Sequence, residues 1–180
     1  MKNSNTKKKR ILNAAQVNAI FERFAREMSK QYDNLDQVVF IGVRTRGPYV
    51  AKRLADIVKK RHGKEIPIGE MDITLYRDDL NALLPGGTID HTRIPFDIAN
   101  KIVVLFDDVL YTGRTVRAAV DHLIDLGRPR MIHLAVMIDR GGRELPIAAN
   151  YVGKKINLSG GGNVQVKLKE VDKTDEVLVE

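Results

Sequence analysis

The sequence predicts an α/β fold in which a central, mostly parallel sheet is flanked by helices. Apolar runs of strand length at 103–106 and 131–138 are typical of buried parallel strands. Segments in which apolar residues keep helical spacing alternate with these runs, and such alternation favours a doubly wound sheet. A chain of 180 residues with 43% hydrophobic content can bury one core. We therefore expect a single domain over residues 11–180.

The first half of the chain predicts two helices and two strands. Asn13 and Gln16 have the spacing of a capping box at a helix start. The apolar residues behind this cap share one helical face: Val17, Ile20, Phe21, Phe24 and Met28. Residues 37–43 predict a strand, and Pro48 suits the first turn of the helix that follows. The core-facing residues of this second helix are expected to be Val50, Leu54, Ile57 and Val58.

The second half predicts a long loop between further strands. Residues 66–75 predict a strand, whereas 78–95 contains Pro85, Gly86 and Gly87 and has little periodicity. Loops of that length are usually functional or disordered. A strand at 101–106 is followed by a helix whose apolar residues are Val116, Ala119, Val120, Leu123 and Ile124. The remaining predicted elements are a central strand at 131–138 and an alternating edge strand at 164–168.

Composition restricts the compartment and the chemistry. The sequence has no cysteine, which excludes disulfides and thiolate metal sites. The first ten residues lack the apolar run of a signal peptide, and no stretch has the length and apolarity of a membrane span. We therefore expect a soluble, cytoplasmic protein that does not engage a membrane.

The positive charge is concentrated at the N-terminus. Five of the seven net positive charges lie in residues 1–10, which leaves +2 on residues 11–180. We expect residues 1–10 to be a basic, disordered tail with nonspecific attraction to RNA. Any specific RNA surface must then be a local patch on the domain.

The segment 103–115 is the most informative part of the sequence. It joins an apolar run, the adjacent carboxylates Asp107 and Asp108, and a Thr-Gly-Arg-Thr turn that opens a helix. The first N–H groups of a helix lack intrahelical partners and favour an anion, and Gly113 allows the backbone to approach it closely. Because carboxylates accept hydrogen bonds from hydroxyls, the pattern predicts a ribose 5-phosphate site. Neither a Walker loop nor a dinucleotide fingerprint is present.

This segment closely resembles the phosphoribosyl pyrophosphate (PRPP) signature of type I phosphoribosyltransferases. Three further segments, 41–47, 69–80 and 139–147, are similar to the PyrR family, whose members are RNA-binding attenuators and uracil phosphoribosyltransferases. The likeness runs from about residue 17 to residue 171. It implies a type I phosphoribosyltransferase fold with a flexible lid loop, and conversion of uracil and PRPP to UMP and pyrophosphate. It also implies Mg²⁺, held mainly through PRPP rather than by protein ligands.

The resemblance implies roles for the residues of these motifs. The loop formed by Thr45, Arg46 and Gly47 is expected to bind pyrophosphate. PRPP and UMP are also expected to contact Asp107, Asp108, Val109, Leu110, Tyr111, Thr112, Gly113, Arg114 and Thr115. Displacement at the anomeric carbon requires exclusion of water and neutralisation of the leaving pyrophosphate, which a lid arginine can provide. Arg77, at the start of the long loop, is therefore expected to act with Asp107 and Asp108 as a catalytic residue.

The base is expected to be a pyrimidine. In the purine-using relatives the position of Tyr111 is commonly an aspartate that handles a base nitrogen, so tyrosine disfavours hypoxanthine and guanine. The base is expected to lie against Met137, Ile138 and Asp139, at the end of the strand 131–138. The alternative for Met137 and Ile138 is that at least one of them belongs to the core.

The family's regulatory role implies UMP-dependent binding to the leader of pyrimidine-operon mRNA. The candidate RNA contacts are Arg23, Arg26, Arg140, Arg143, Lys154 and Lys155, for which ordinary solvated charge is an equal alternative. Gly142 stands where the family commonly has a histidine. Three alternatives therefore stay open: a transferase without RNA function, a non-catalytic nucleotide sensor that binds RNA, and transfer to another base. Family members also imply a homodimer or a higher homo-oligomer.

Overall fold

The structure is a computed structural model that describes residues 8–74, 91–158 and 162–180. The described residues form eight strands and four helices. In chain order these are β1 (Lys9–Leu12), α1 (Ala14–Gln31), β2 (Val38–Val43), α2 (Gly47–His62), β3 (Ile68–Met71), β4 (Ile102–Leu110), α3 (Arg114–Leu126), β5 (Met131–Asp139), β6 (Tyr151–Lys155), β7 (Val164–Lys167), α4 (Lys169–Asp172) and β8 (Glu176–Val179).

The central sheet confirms the predicted α/β class. Its five strands have the order β3-β2-β4-β5-β6, and all neighbouring pairs are parallel. Alternate residues of β4 face opposite layers, because successive side chains of a strand point to opposite faces. Val104 and Phe106 pack in the cluster that contains the buried faces of α1 and α2. Val103 and Leu105 pack in the cluster that contains α3.

Helix α1 forms as its sequence predicts. Asn13 Oδ1 accepts the N–H of Gln16 at 3.0 Å, and the Gln16 side chain accepts the N–H of Asn13 at 2.9 Å. This reciprocal cap satisfies two N–H groups that would otherwise lack partners. The five predicted core residues of this helix are buried. The local signal was therefore sufficient to place both the start and the buried face.

Helices α2 and α3 follow the prediction with one error. Pro48 lies in the first turn of α2, and Gly63 ends that helix with a φ of +66°. In α3, Ile124 was predicted to face the core but is 61% exposed. The buried residues of this helix are Val116, Ala118, Ala119, His122 and Leu123. The prediction of Ile124 was wrong because His122 takes the buried place on that turn.

Strand β4 is longer than its predicted range, 101–106. Its pairing with β2 ends at Phe106, opposite Gly42, whereas its pairing with β5 continues to Leu110, opposite Asp139. Asp107 and Asp108 therefore lie inside the strand rather than beyond it. Because the pairing with β2 ends before Asp107, the edge of β4 at Asp107 and Asp108 borders a cleft.

A second sheet is built from three strands near the two ends of the described chain. It is antiparallel with the order β1-β8-β7, and it joins residues near both termini. The prediction places Lys9 and Arg10 in a disordered tail. In the structure they belong to β1 and pair with Val179 and Leu178 of β8. That boundary was wrong because the partner strand lies at the far end of the sequence. Residues 1–7 lie outside the described residues.

Two other strands differ in extent or place. The strand predicted at 66–75 is confirmed over Ile68–Met71. The predicted edge strand at 164–168 is confirmed as β7, but it is an edge of the second sheet. In the ranges that the structure describes, no helix combines the length and apolarity needed to cross a membrane.

Candidate active site

A cavity of about 480 Å³ lies at the carboxyl ends of the central parallel strands. Arg44 and Thr45 line it from the loop after β2, and residues 72–74 line it from the segment after β3. Residues 107–109 of β4, Thr115 of α3 and His91 complete this wall. Ligands of open α/β sheets bind at this edge. The cavity therefore unites three of the four motifs singled out in the sequence.

Two glycines bring the loop after β2 against β4. A Cβ atom on Gly42 would lie 2.2 Å from Pro48 N, and one on Gly47 would lie 2.4 Å from Phe106 O. Both contacts are with backbone atoms, so no side chain could be accommodated without moving the chain. The Arg44 N–H donates to Met71 O at 2.9 Å, and a cis peptide bond joins Arg44 to the next residue. The loop is thus fixed on both neighbouring strands.

The acidic pair combines burial with like charge. Asp107 is 8% exposed, and the N–H of Asp108 donates to its Oδ1 at 2.9 Å. Burial raises the pKa of Asp107 well above its usual range, and the negative charge of Asp108 raises it further. Burial also raises the pKa of Asp108, against the lowering effect of the Arg46 guanidinium. Hydroxyl donors on a ligand would therefore offset the burial and the mutual repulsion of the two carboxylates.

The start of α3 borders the cavity through Thr115. Gly113 is the N-cap with a φ of +93°, and as a glycine it brings no side-chain acceptor to the first turn. The first N–H groups of a helix have no intrahelical partners. The N–H of Arg114 donates to Thr112 Oγ1 at 3.3 Å. A phosphate at this end would be favoured by the helix dipole.

The loop after β5 is hydrogen-bonded to the turn before α3. Thr112 O accepts the N–H groups of Glu144 and Leu145 at 2.9 and 3.2 Å. Arg143 donates to Tyr111 O at 2.6 Å and to Asp139 Oδ1 at 2.6 Å. The two loops are therefore tied together by backbone and side-chain hydrogen bonds.

Tyr111 is held by the same loop. Its ring is 44% exposed and lies under the guanidinium of Arg140, 3.8 Å from the ring centroid. A Cβ atom on Gly142 would approach Tyr111 Cε2 to 2.5 Å. The glycine that departs from the expected histidine therefore leaves room for the tyrosine ring.

Several predicted site residues have core positions. Met137 and Ile138 are fully buried in the cluster with α1 and α2, which confirms the alternative that at least one of them belongs to the core. Contact of a base with their backbone groups stays a prediction. Both residues belong to β5, an internal strand of the central sheet whose side chains pack in core clusters on both faces. Leu110 is 1% exposed and could contact a ligand through its backbone alone. Asp139 Oδ1 accepts the N–H of Gly141 at 3.0 Å, besides its bond with Arg143.

The candidate RNA contacts divide into two groups. Arg23 donates to Val152 O at 2.7 Å, and Lys154 donates to Ile11 O at 3.3 Å. With Arg140 on Tyr111 and Arg143 on its loop, these guanidinium and ammonium groups have partners within the chain. Arg26 and Lys155 are exposed. RNA contact therefore stays a prediction. Arg26 and Lys155 could bind RNA without breaking these internal contacts.

Sequence reasoning also missed residues of the site. Asp72 and Thr74 line the cavity, with Thr74 Oγ1 donating to Asp72 Oδ1 at 2.6 Å. Both belong to the motif at 69–80, which was the available signal. Arg46 pairs with Asp172, a residue that no motif marked. The predicted lid residue Arg77 lies outside the described residues.

Comparison with known proteins agrees with this geometry. Residues 8–171 match the family described as phosphoribosyl transferase domain. The chain is 48% identical over 170 residues to the bifunctional protein PyrR of Thermus aquaticus, covering 94% of each chain. It is 50% identical over 167 residues to that of Deinococcus radiodurans, covering 93% of this chain and 91% of the relative. A crystal structure of a hypoxanthine-guanine phosphoribosyltransferase from Bacillus anthracis shares the fold, with a TM-score of 0.69 at 17% identity, covering 97% of this chain and 98% of that one.

Proposed function

We propose, on the premise that this chain belongs to the phosphoribosyltransferase family and within it to the bifunctional PyrR proteins, that it transfers a phosphoribosyl group from PRPP to uracil. The observation that carries this proposal is the acidic pair of buried Asp107 and half-buried Asp108 in one cavity with Thr115, at the start of α3. A phosphate on the helix N-terminus and ribose hydroxyls on the carboxylates would fill these two regions together. A ligand with only one of these groups would leave the other region unmatched.

The reaction breaks the bond between the anomeric carbon and pyrophosphate and forms a bond from that carbon to uracil N1, which loses its proton. Positive charge develops on the ribose ring, and the adjacent carboxylates would stabilise it while they hold the hydroxyls. The loop of Arg44, Thr45 and Arg46 would bind the departing pyrophosphate. Arg77 is proposed to close over it, so that water is excluded. Fixing uracil in line with the sugar would supply much of the remaining acceleration.

Magnesium fits this site through its ligand rather than through a protein cage. Mg²⁺ prefers oxygen ligands and is often bound by one or two carboxylates together with substrate phosphates. Across the described ranges, no cluster of three or more metal-binding side chains occurs. Asp107, Asp108 and Asp72 are the carboxylates that line the cavity. When bound with PRPP, the ion would offset the negative charge that grows on pyrophosphate.

The pyrimidine preference is proposed from Tyr111. Held by Arg140 and packed over Gly142, its ring places a bulky, uncharged group where an aspartate would serve a purine nitrogen. Uracil N1 is acidic for a nucleobase, so a strong side-chain base is less necessary. Orotate and purines are the alternative bases.

Regulation is the second part of the proposed function. We propose UMP-dependent binding to the leader of pyrimidine-operon mRNA by the chain as a homodimer or higher homo-oligomer, in line with the bifunctional relatives. Exposed Arg26 and Lys155 are the basic residues available for phosphate contacts. The internal contacts of Arg23 and Arg143 favour the alternative of a transferase without RNA function.

One experiment separates these possibilities. The purified protein is incubated with PRPP and Mg²⁺ and with uracil, orotate, hypoxanthine or guanine, and nucleotide formation is measured beside Asp108→Asn. UMP from uracil alone, lost in the variant, would support the proposed enzyme. UMP binding without turnover on any base would instead favour a nucleotide sensor. Gel shift of a pyrimidine-operon leader RNA with and without UMP then tests regulation.

A further inference from the structure

An arginine of the loop after β2 is held from outside the central sheet. Arg46 Nη2 lies 3.0 Å from Asp172 Oδ1, and Arg46 Nε lies 3.4 Å from Asp172 Oδ2. The two side chains are 25% and 18% exposed, so the pair is largely sheltered from water. Asp172 lies at the end of α4, in the segment between β7 and β8 of the second sheet. The C-terminal part of the chain therefore contacts an active-site loop 126 residues away.

Asp172 is itself rigidly placed. Its Oδ2 accepts the N–H of Leu168 at 3.0 Å, and its own N–H donates to Leu168 O at 2.7 Å. Burial alone would raise the pKa of Asp172, but the Arg46 guanidinium and the Leu168 N–H hold this pKa below its usual range. Leu168 is fully buried in the core. Asp172 is thus an ionised acceptor fixed to a well-packed anchor.

The other side of the contact belongs to the active site. The Arg46 carbonyl accepts the N–H groups of Tyr49 and Val50 at 3.1 and 3.2 Å, which fixes its backbone at the start of α2. The next residue, Gly47, abuts Phe106 O, directly before the acidic pair. The Arg46 charge lowers the pKa of Asp108 against the effect of burial. Arg46 therefore acts electrostatically on Asp108 while Asp172 fixes the Arg46 side chain.

We propose that Asp172 is a positioning residue for phosphoribosyl transfer, holding the Arg46 guanidinium ready for the diphosphate of PRPP. The inference rests on the proposed function and extends it to a residue outside the motifs. An arginine has five N–H donors, and the pair with Asp172 uses Nε and Nη2, which leaves the Nη1 donors to bind an anion. Two-point pairs fix orientation as well as charge. A cation held in place needs no reorganisation when the diphosphate binds.

The same two elements offer a matched control. Arg53, two turns further along α2, pairs with Glu170 through Nε at 2.9 Å and with Asp175 through Nη2 at 2.8 Å. Glu170→Gln and Asp172→Asn each remove one negative charge from the junction between α2 and the α4 region. The Glu170 substitution leaves the Arg46 contact intact.

The test compares wild type, Asp172→Asn, Asp172→Glu and Glu170→Gln in steady-state kinetics with PRPP and uracil. We expect Asp172→Asn to raise the KM for PRPP about threefold to tenfold, with a smaller effect on kcat and none on the KM for uracil. Asp172→Glu should recover part of this loss because it keeps the charge. Glu170→Gln should lower the melting temperature by an amount similar to that of Asp172→Asn and leave both KM values unchanged.

Three outcomes would overturn the proposal. An unchanged KM for PRPP in Asp172→Asn would mean that Asp172 has only a structural role. A lower KM would mean that Asp172 competes with PRPP for Arg46. An equal rise in KM for Glu170→Gln would mean that loosening the junction is sufficient. If the wild type shows no turnover, calorimetry measures the binding of Mg²⁺ and inorganic pyrophosphate to the same variants. Binding that is weaker only in Asp172→Asn supports the positioning role. Binding equal to that of the wild type contradicts it.

Discussion

The backbone N–H of Asp108 donates to the side chain of Asp107 at 2.9 Å, so the second acid of the pair holds the carboxylate of the first inside β4. Asparagine at position 107 can keep this bond, because its Oδ1 is also an acceptor. It removes the buried charge and the repulsion from Asp108. The substitution thereby separates the bond from the charge.

We expect Asp107→Asn to stabilise the protein while it lowers activity. Removing a buried, like-charged carboxylate should add on the order of 1 kcal/mol to the free energy of unfolding, or about 2–4 °C in melting temperature at neutral pH. The rate of UMP formation should fall at least about tenfold. Differential scanning calorimetry and the transferase assay measure the two effects.

The sign of the pH dependence follows from the raised pKa of Asp107. As pH rises above about 4, the ordinary aspartate range, the unfolded chain loses this proton before the native protein does, so the wild type loses stability until the raised pKa is passed. The advantage of Asp107→Asn should therefore be small near pH 4 and larger at pH 7. A melting temperature below that of the wild type at pH 7 would contradict the proposed charge strain.

Gly47→Ala should damage both stability and PRPP binding. Its Cβ would lie 2.4 Å from Phe106 O, a backbone atom of the strand that carries the acidic pair. We expect a loss of about 1–3 kcal/mol in the free energy of unfolding and a higher KM for PRPP. Gly69→Ala is the control, because its Cβ would also be crowded, by Ile94 Cγ1 at 2.9 Å, but not against β4 or the acidic pair. A KM that changes equally in both variants would show that the loop contact is not specific.

Gly142 and Gly141 form a matched pair for the role of Tyr111. Both have a φ of +71°, so alanine strains the backbone similarly at either position. A Cβ on Gly142 would lie 2.5 Å from Tyr111 Cε2, whereas one on Gly141 would meet nothing within 4 Å. We expect both variants to lose about 1 kcal/mol of stability. Gly142→Ala alone should weaken UMP binding in calorimetry, and equal binding by the two variants would exclude a role for the ring position.

Local signals predicted the fold better than they predicted the site. The cap at Asn13 and the apolar run of β5 each depend on residues close in sequence, and both were confirmed. The pairing of β1 with β8 and the contact of Arg46 with Asp172 join segments that are far apart in sequence, which no local pattern encodes. The burial of Met137 follows from the sequence, because a central strand is expected to bury its side chains on both faces.

A buried histidine far from the cavity should make stability sensitive to acid. His133 lies near the start of β5, at the edge of the sheet opposite the acidic pair, and its Nδ1 is 2.5 Å from the Tyr32 hydroxyl. The Tyr151 hydroxyl donates to Gln31 Oε1 at 2.6 Å and lies 2.9 Å from the Tyr32 hydroxyl, so Tyr32 donates its proton to Tyr151. His133 Nδ1 therefore donates to Tyr32, and protonation would add a positive charge to a buried ring.

Burial lowers the pKa of His133, so the unfolded chain takes up a proton at a pH where the native protein does not. This linkage is absent above about pH 7 and weakens the native state as pH falls below about 6.5, by at most about 1.4 kcal/mol per pH unit. We expect His133→Gln to melt lower than the wild type at pH 8 but to lose less stability between pH 7 and pH 5.5. His62→Gln, at the exposed end of α2, serves as the control. If His133→Gln and the wild type lose equal stability over that interval, the acid sensitivity arises elsewhere, because the buried imidazole then takes up its proton as readily in the native protein as in the unfolded chain.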